Sequence, residues 1–373
     1  MKNLFVCNTV YQVMVALWIK TNYYPKVTSD IIISDHMNNG ELICNRIQKT
    51  GVFNKCFFCK TKDFSYGGVL KELSIPEVSL LIHRHPDRYI KKFFDGALRY
   101  RRLFISNIDY FAQILFDACS KKTYITKLYI FEDGMATYTQ VIERCYNDTK
   151  PFKTDFLRKI YYKMIYNKKS IYGNVSGCYL FNPNLFNWSS YDFPLIEMKK
   201  INIYDKYFVS ACNKIFGYTD QDKYTTQYIF LEESYFADGF SINDCEIVEK
   251  ISEKVGKENV FVKIHPRNPI NRFQSLGYKT NKNTSIPWEV IAMNQRIDDK
   301  TILTICSSGA LNLLLIFGMK IKIYSIYNLI KEKQDCRLFI SNEYWSFIQK
   351  VFEENSEYIV VCDSLEDIPL ANK

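Results

Sequence analysis

The run Asn259-Val-Phe-Val-Lys263-Ile-His265-Pro266-Arg267 reads as a buried strand that ends on a basic loop. Further on comes Pro287-Trp288-Glu289, and then a second apolar strand, Thr301 to Cys306, runs straight into Ser307-Ser308-Gly309. An imidazole flanked by cations, a carboxylate, and two hydroxyls opening a helix are the parts of a nucleotide-phosphate site. His265 can donate to an anionic leaving group. An unperturbed imidazole titrates near pH ~6.5, so a neighbouring phosphate can keep it protonated, and Pro266 stiffens the loop. Ser307 and Ser308 would serve as an ordinary helix cap or as phosphate donors beside exposed amides; with His265 upstream the phosphate role is the expected one. Glu289 is either a first-turn glutamate favoured by the helix dipole or an acceptor for both ribose hydroxyls. His85-Pro86 repeats the dipeptide with no serine pair behind it, so His83 and His85 read as structural or peripheral.

A transfer reaction also needs a base, and three acidic groups follow apparent strands: Glu132-Asp133-Gly134, Glu232-Glu233, and Asp238-Gly239. Glu132-Asp133-Gly134 can be a simple turn, because Asp-Gly is a turn dipeptide, or carboxylates poised to take a proton, and the other two groups offer the same base in the second domain. The residues alone leave the choice open. Asp220-Gln-Asp222 matches a metal-binding Asp-x-Asp, yet no clear strand precedes it and it reads as a loop. Cys56-Phe-Phe-Cys59 has no second pair near it and reads as core rather than zinc site. No metal is expected.

These residues must be positioned by regular elements, and the chain supplies enough of them for two domains, with 373 residues, 47% of them apolar and 24% charged. Its net charge of +9 suits an anionic partner such as a nucleotide, acidic glycan or lipid headgroup. No Lys/Arg run resembles a nucleic-acid arm, so nucleic acid is not expected as a partner. The 12 cysteines are scattered among apolar residues, as reduced thiols of a cytoplasmic protein would be. The opening carries one lysine and an apolar stretch broken by Asn8, Thr9 and Gln12, unlike a signal peptide, and no segment reaches the ~20 apolar residues a span needs. Arg88 to Phe104 and Lys150 to Lys169 interleave basic and aromatic residues. They read as solvated helix faces, with a membrane-surface patch as the alternative.

Strands are expected at Leu4–Cys7, Asp30–Ser34, Lys55–Cys59, Lys127–Phe131 and Cys178–Phe181, with helices at Val10–Lys20 and Glu41–Lys49. After a connecting stretch at 182–205 a second set of strands is expected at Gln227–Leu231, Val260–Ile264, Thr301–Cys306, Lys320–Tyr324 and Tyr358–Cys362, with helices at Cys245–Val255 and Ala310–Phe317. This alternation predicts an α/β chain of two doubly wound, Rossmann-type domains with a cleft between them: 1–185, a linker region 186–215, and 216–373. No Gly-x-Gly-x-x-Gly follows the first strand, which argues against a dinucleotide site of that kind. Glu132-Asp133, His265 and Ser307-Ser308 all fall at strand C-termini, where ligands bind in such sheets.

Taken in order, Cys7-Asn-Thr9-Val-Tyr-Gln12, Phe131-Glu132-Asp133-Gly134, Tyr179-Leu-Phe181, Lys263-x-His265-Pro266-Arg267, Pro287-x-Glu289 and Ser307-Ser308-Gly309 resemble the pattern of bacterial sialyltransferases. The likeness covers most of the chain and is nearest the lipooligosaccharide sialyltransferases of glycosyltransferase family 52. It implies a GT-B fold, an acceptor-side first domain and a second domain that holds CMP. His265 would be the general acid or phosphate stabiliser and Ser307 and Ser308 the phosphate donors. Glu289 would bind the ribose, and the backbone near Lys263 would face the cytosine. For the base, the resemblance ranks Asp238 first in a window that also holds Glu232 and Glu233, and keeps Asp133 or Glu132 beside it. The implied reaction is metal-independent, inverting transfer from CMP-sialic acid to a terminal galactoside of a cell-surface glycan, with no cofactor. A peripheral contact at the inner membrane face and a homodimer are compatible with it. The alternatives are another CMP-nonulosonic acid or a UDP-hexose as donor, and a non-catalytic protein binding glycans or a membrane surface.

Overall fold

The structure, a computed structural model, describes residues 2–62, 85–96, 98–106, 109–120, 126–139, 175–188, 191–220, 222–331 and 342–370. The chain forms two compact units, Met1–Lys199 with Ser210–Ile215 and Lys200–Val209 with Phe216–Lys373.

The first unit runs β1 (Lys2–Cys7), α1 (Val10–Asn22), β2 (Ser29–Ser34), α2 (Gly40–Thr50), β3 (Lys55–Cys59), α3 (Pro86–Ile90), β4 (Tyr100–Ile105), α4 (Tyr110–Cys119), β5 (Lys127–Phe131), β6 (Val175–Leu180) and β7 (Leu195–Glu197). Its strands pair in parallel in the order β3-β2-β1-β4-β5-β6-β7. Leu4–Cys7 and all of β2 are buried, the continuous burial of strands covered on both faces. Thr9 starts α1 by accepting the Gln12 amide at 3.2 Å, and α1 is buried from Gln12 to Lys20. Lys20 closes that helix by donating to the carbonyls of Tyr24 and Pro25 at 3.1 and 2.9 Å. The interior is aromatic: Phe5 stacks on Phe104 with centroids 4.4 Å apart. One carboxylate interrupts β2. Asp30, 1% exposed, accepts from Tyr100 Oη at 3.0 Å and Asn54 Nδ2 at 2.7 Å and lies 3.6 Å from Lys2 Nζ.

After α5 (Lys206–Phe216) the second unit runs β8 (Tyr228–Leu231), α6 (Asp244–Val255), β9 (Val260–Lys263), α7 (Arg272–Ser275), β10 (Lys279–Thr280), α8 (Trp288–Asn294), β11 (Thr301–Thr304), α9 (Ser308–Leu315), β12 (Lys322–Ser325), α10 (Asn342–Glu354) and β13 (Ile359–Val361). These strands are also parallel, in the order β10-β9-β8-β11-β12-β13. Counting strands within each unit, both sheets read 3-2-1-4-5-6 from one edge, the Rossmann order, with a switch point beside the first strand. The doubly wound α/β expectation therefore holds for each unit.

Three readings change. Arg88–Phe104 is helical only at its start, where Arg88–Ile90 belongs to α3; Tyr100–Ile105 is β4, a central strand between β1 and β5. The two arginines misled, since Arg101 is exposed and Arg102 lays its guanidinium 4.8 Å over the Tyr24 ring while the rest of the strand is buried. The expected connection at 186–215 is structured, because Leu195–Glu197 adds β7 to the first sheet and Lys206 onward is helical. Finally, α4, α7, β10 and α10 are present without having been expected. Lys150 to Lys169 and His83 lie outside the described residues. The ten cysteines among the described residues are all free thiols. Among the described residues no helix is long and apolar enough to cross a membrane.

Candidate active site

In the second unit the switch point lies between β8 and β11, and β9 flanks β8 on its other side. Three loops leave the C-terminal ends of these strands, carrying Glu232 to Gly239, Ile264 to Asn268, and Ile305 to Ser307.

His265 is partly buried. Its backbone N–H donates to Glu232 Oε2 at 3.1 Å, and its Nδ1 accepts the Arg267 N–H at 3.2 Å. With Nδ1 serving as acceptor, the proton of the neutral ring sits on Nε2, which becomes the donor available to a ligand. Burial, reinforced by the charges of Arg267 and Lys263, pushes this imidazole down to about 4. Without an anion beside it the ring is therefore neutral near pH 7.

The carboxylates after β8 are all engaged. Glu232, 3% exposed, accepts from Arg272 Nη2 through Oε1 at 3.0 Å, and both oxygens of Asp244 hold the same guanidinium. Glu233 Oε1 accepts the Cys306 N–H at 2.6 Å and the Thr304 hydroxyl at 3.2 Å, with Cys306 Sγ 3.5 Å from Oε2. Burial raises the pKa of both glutamates, and the hydrogen bonds they accept work against it. Asp238 is gripped by Arg267 through two bonds of 3.0 and 3.1 Å and also accepts from Ser234 Oγ at 2.8 Å. Asn268 ties these loops together, donating to the Glu233 carbonyl at 2.9 Å and accepting the Ala237 N–H at 3.1 Å.

Ser307 is the cap of α9: its Oγ accepts the Gly309 N–H at 3.2 Å, and its own N–H donates to Thr304 Oγ1 at 2.9 Å. Its hydroxyl proton is left for a ligand, and Ser308 is exposed at the same helix end. A side chain at Gly309 would put its first carbon 3.3 Å from the Trp288 ring, a tight approach that the ring would have to yield to. Glu289, one residue beyond Trp288, accepts from Asn312 Nδ2 at 2.8 Å and so joins α8 to α9. Its pKa is raised, chiefly by burial. Lys263 is 5% exposed, donates to the Ile264 carbonyl at 3.1 Å, and is pushed down by burial to about 8. Pro266 is exposed beside His265. Asp222 accepts the N–H groups of Lys282 and Asn283 at 2.9 and 3.3 Å, the behaviour of a loop-bracing residue.

The first unit gathers a second group at the ends of β1 and β5. Thr9 Oγ1 donates to Asp133 Oδ1 at 3.2 Å, while Gln12 Oε1 accepts the Asn8 N–H at 2.6 Å. Glu132 is fully buried, accepting from Tyr11 Oη at 2.8 Å, from the Phe181 N–H at 2.9 Å and from Tyr138 Oη. Asp133 is partly exposed, and its own N–H donates to Thr137 Oγ1 at 2.7 Å. Gly134 has φ +67°, the left-handed region that glycine enters without penalty, which accounts for the acidic-acidic-Gly sequence.

The structure thus brings His265, Glu232, Glu233, Asp238, Arg267 and Ser307 onto neighbouring loops, sets Lys263 at the end of β9 and Glu289 on α8 bonded to α9, and groups Thr9, Gln12, Glu132 and Asp133 in the other unit. Arg272, Asp244, Asn268 and Thr304 were missed by sequence reasoning. Arg272 alone carried a signal, lying a few residues past the His-Pro-Arg run.

Among solved structures, the chain is similar to an alpha/beta-galactoside alpha-2,3-sialyltransferase from the luminous marine bacterium Photobacterium phosphoreum. The two share 12% identity over 98% of this chain and 99% of that one, with a TM-score of 0.48. A UDP-GlcNAc 2-epimerase from Neisseria meningitidis aligns at 11% identity over 96% and 92% of the two chains, with a TM-score of 0.44. No curated protein matches the sequence. A family model described as Alpha-2,8-polysialyltransferase (POLYST) matches residues 3–327. The chain belongs to this alpha-2,8-polysialyltransferase family, which bears out the bacterial sialyltransferase resemblance.

Proposed function

We propose that the protein transfers sialic acid from CMP-sialic acid to a glycan hydroxyl, with inversion at the anomeric carbon and without a metal. The observation that carries this reading is the imidazole of His265 at the end of β9, its Nδ1 accepting the Arg267 N–H so that Nε2 is the donor, with the Glu233 loop beside it at the end of β8 and the Ser307 loop one strand further on, at the end of β11. Charge grows on the CMP phosphate as the glycosidic bond breaks through an oxocarbenium-like transition state. His265 Nε2–H, the Ser307 and Ser308 hydroxyls and the amides opening α9 are the donors suited to it, and such a donor contributes ~3–4 kcal/mol elsewhere. Glu289 and the strand end at Lys263 are assigned to the nucleoside.

For the base we favour Asp133 over Asp238. Asp238 is clamped by Arg267 and Ser234, and Glu132, Glu232 and Glu233 accept backbone amides; Asp133 is partly exposed at the end of β5, where a substrate hydroxyl can reach it. The family description favours a terminal sialic acid as acceptor over the galactoside of the sequence reading. A peripheral membrane contact and a homodimer belong to the same proposal; liposome flotation and sedimentation test them.

The test is CMP release and product mass with CMP-sialic acid, sialylated and galactose-terminated oligosaccharides, and EDTA. Turnover in EDTA is expected, with Asp133→Asn slower by ~100-fold or more. A strict manganese requirement with a UDP-hexose would replace this reading, as would a folded wild-type protein that neither binds CMP nor turns over.

A further inference from the structure

At the end of β8 two consecutive glutamates reach in opposite directions. Because β8 lies between β9 and β11, one neighbouring loop stands on each side of it. Glu232 Oε2 accepts the backbone N–H of His265 at 3.1 Å, on the β9 side. Glu233 Oε1 accepts the backbone N–H of Cys306 at 2.6 Å, on the β11 side. The first amide belongs to the imidazole residue itself. The second belongs to the residue just before the helix-opening Ser307, and the Thr304 hydroxyl that donates to Glu233 also accepts the Ser307 N–H at 2.9 Å.

Each carboxylate is in turn prevented from swinging away. Glu232 is locked through its other oxygen by Arg272, itself gripped by Asp244 and lying 4.7 Å over the Phe236 ring. The Glu233 carbonyl receives Asn268 Nδ2 at 2.9 Å, and Cys306 Sγ sits both 3.5 Å from its second oxygen and 3.4 Å from Tyr235 Oη. A base has to be within reach of the acceptor proton, and these two side chains face protein amides instead.

We infer that Glu232 and Glu233 are a two-sided positioning pair: one carboxylate fixes the imidazole loop, its neighbour fixes the start of α9, and together they set the distance between the two groups that grip a phosphate. The ligand in this inference rests on the sialyl-transfer reading; the bracing of the two loops does not.

The experiment compares Glu232→Ala, Glu233→Ala and Glu233→Gln with wild type. Amide hydrogen exchange is followed without ligand over 264–268 and 305–310, alongside CMP affinity by calorimetry and the kcat and KM of donor and acceptor. Glu233→Ala should speed exchange around Cys306 and leave the His265 loop as it was, and Glu232→Ala should do the reverse. Each alanine variant should weaken CMP and raise the donor KM about 10-fold, the loss expected for a charged hydrogen bond, with the acceptor KM unmoved. Glu233→Gln keeps a carbonyl acceptor and should recover most of the affinity.

Exchange and CMP affinity as in wild type would overturn the inference. So would a Glu233→Gln enzyme that binds CMP normally but has lost turnover, since that is how a base behaves. Should Glu232→Ala fail to fold, the two Glu233 variants decide. Wild-type protein that takes up no CMP defeats the sialyl-transfer reading, and the exchange pattern then decides the positioning role by itself.

Discussion

His265 offers the most exacting test, because its charge state should change on binding. Its pKa is pushed down to about 4, so at pH 7 about one molecule in a thousand carries the imidazolium. A phosphodiester charge placed about 4 Å from the ring, at an effective dielectric near 20, interacts by about 4 kcal/mol. Divided by 1.36 kcal/mol per unit, that raises the histidine by about 3 units, to near 7 in the complex. Between these two values the bound state holds a proton that the free state lacks, so acidification must favour binding. Affinity for cytidine 5′-methyl phosphate should be nearly flat above pH ~7 and rise roughly 50-fold from pH 7 to pH 5. The diester is the right probe because it lacks the second ionisation near pH ~6 of a phosphate monoester. Calorimetry across pH measures it directly, and His265→Gln, which keeps an N–H donor but cannot titrate, should abolish the rise. That control also exposes any contribution from Lys263, Glu233 and Glu289, which remain in it and titrate abnormally. An affinity independent of pH in wild type, or a rise that persists in His265→Gln, would refute the reasoning.

The same group sets a stability window. The unfolded histidine takes its proton at pH ~6.5 and the folded one resists until about 4, so the contribution is complete above ~6.5 and is lost as pH falls through that interval. Wild type should lose up to about 3 kcal/mol relative to His265→Gln there, read by denaturant titration. Arg272→Met strands Glu232 and Asp244 as buried charges and should cost about 3–5 kcal/mol of unfolding free energy in the same assay. Gly134→Ala meets nothing within 4 Å, so only its positive φ opposes it, and thermal melts should show about 1–2 kcal/mol of destabilisation.

What the sequence disclosed follows from how each feature is encoded. The strands β1, β8, β9 and β11 are near-continuous apolar runs, and such runs declare a parallel strand buried on both faces. The loops at their ends were therefore legible as a group, and the structure sets His265 after β9 and Ser307 after β11, as the sequence pattern places them. β4 was not, because Tyr-Arg-Arg-Leu-Phe-Ile has its arginines where the strand begins and nothing in the string says that one of them lies on Tyr24. The two-residue β10 is too short to carry a period. The carboxylates were the hardest to read. Glu232 and Asp238 look alike in a string of letters, yet one is buried against Arg272 and the other clamped by Arg267, partners supplied by distant parts of the chain.

Asp30 has a consequence for accuracy elsewhere in the first sheet. Ile31, Ile32 and Ile33 are interchangeable to their neighbours, so grease alone gives β2 little reason to prefer one alignment over a slide along its neighbours. A carboxylate that must meet Tyr100, Asn54 and Lys2 together admits a single alignment. It works like the pin of a combination lock, set at one rim of the sheet and deciding where the opposite rim, with Thr9 and Asp133, comes to rest.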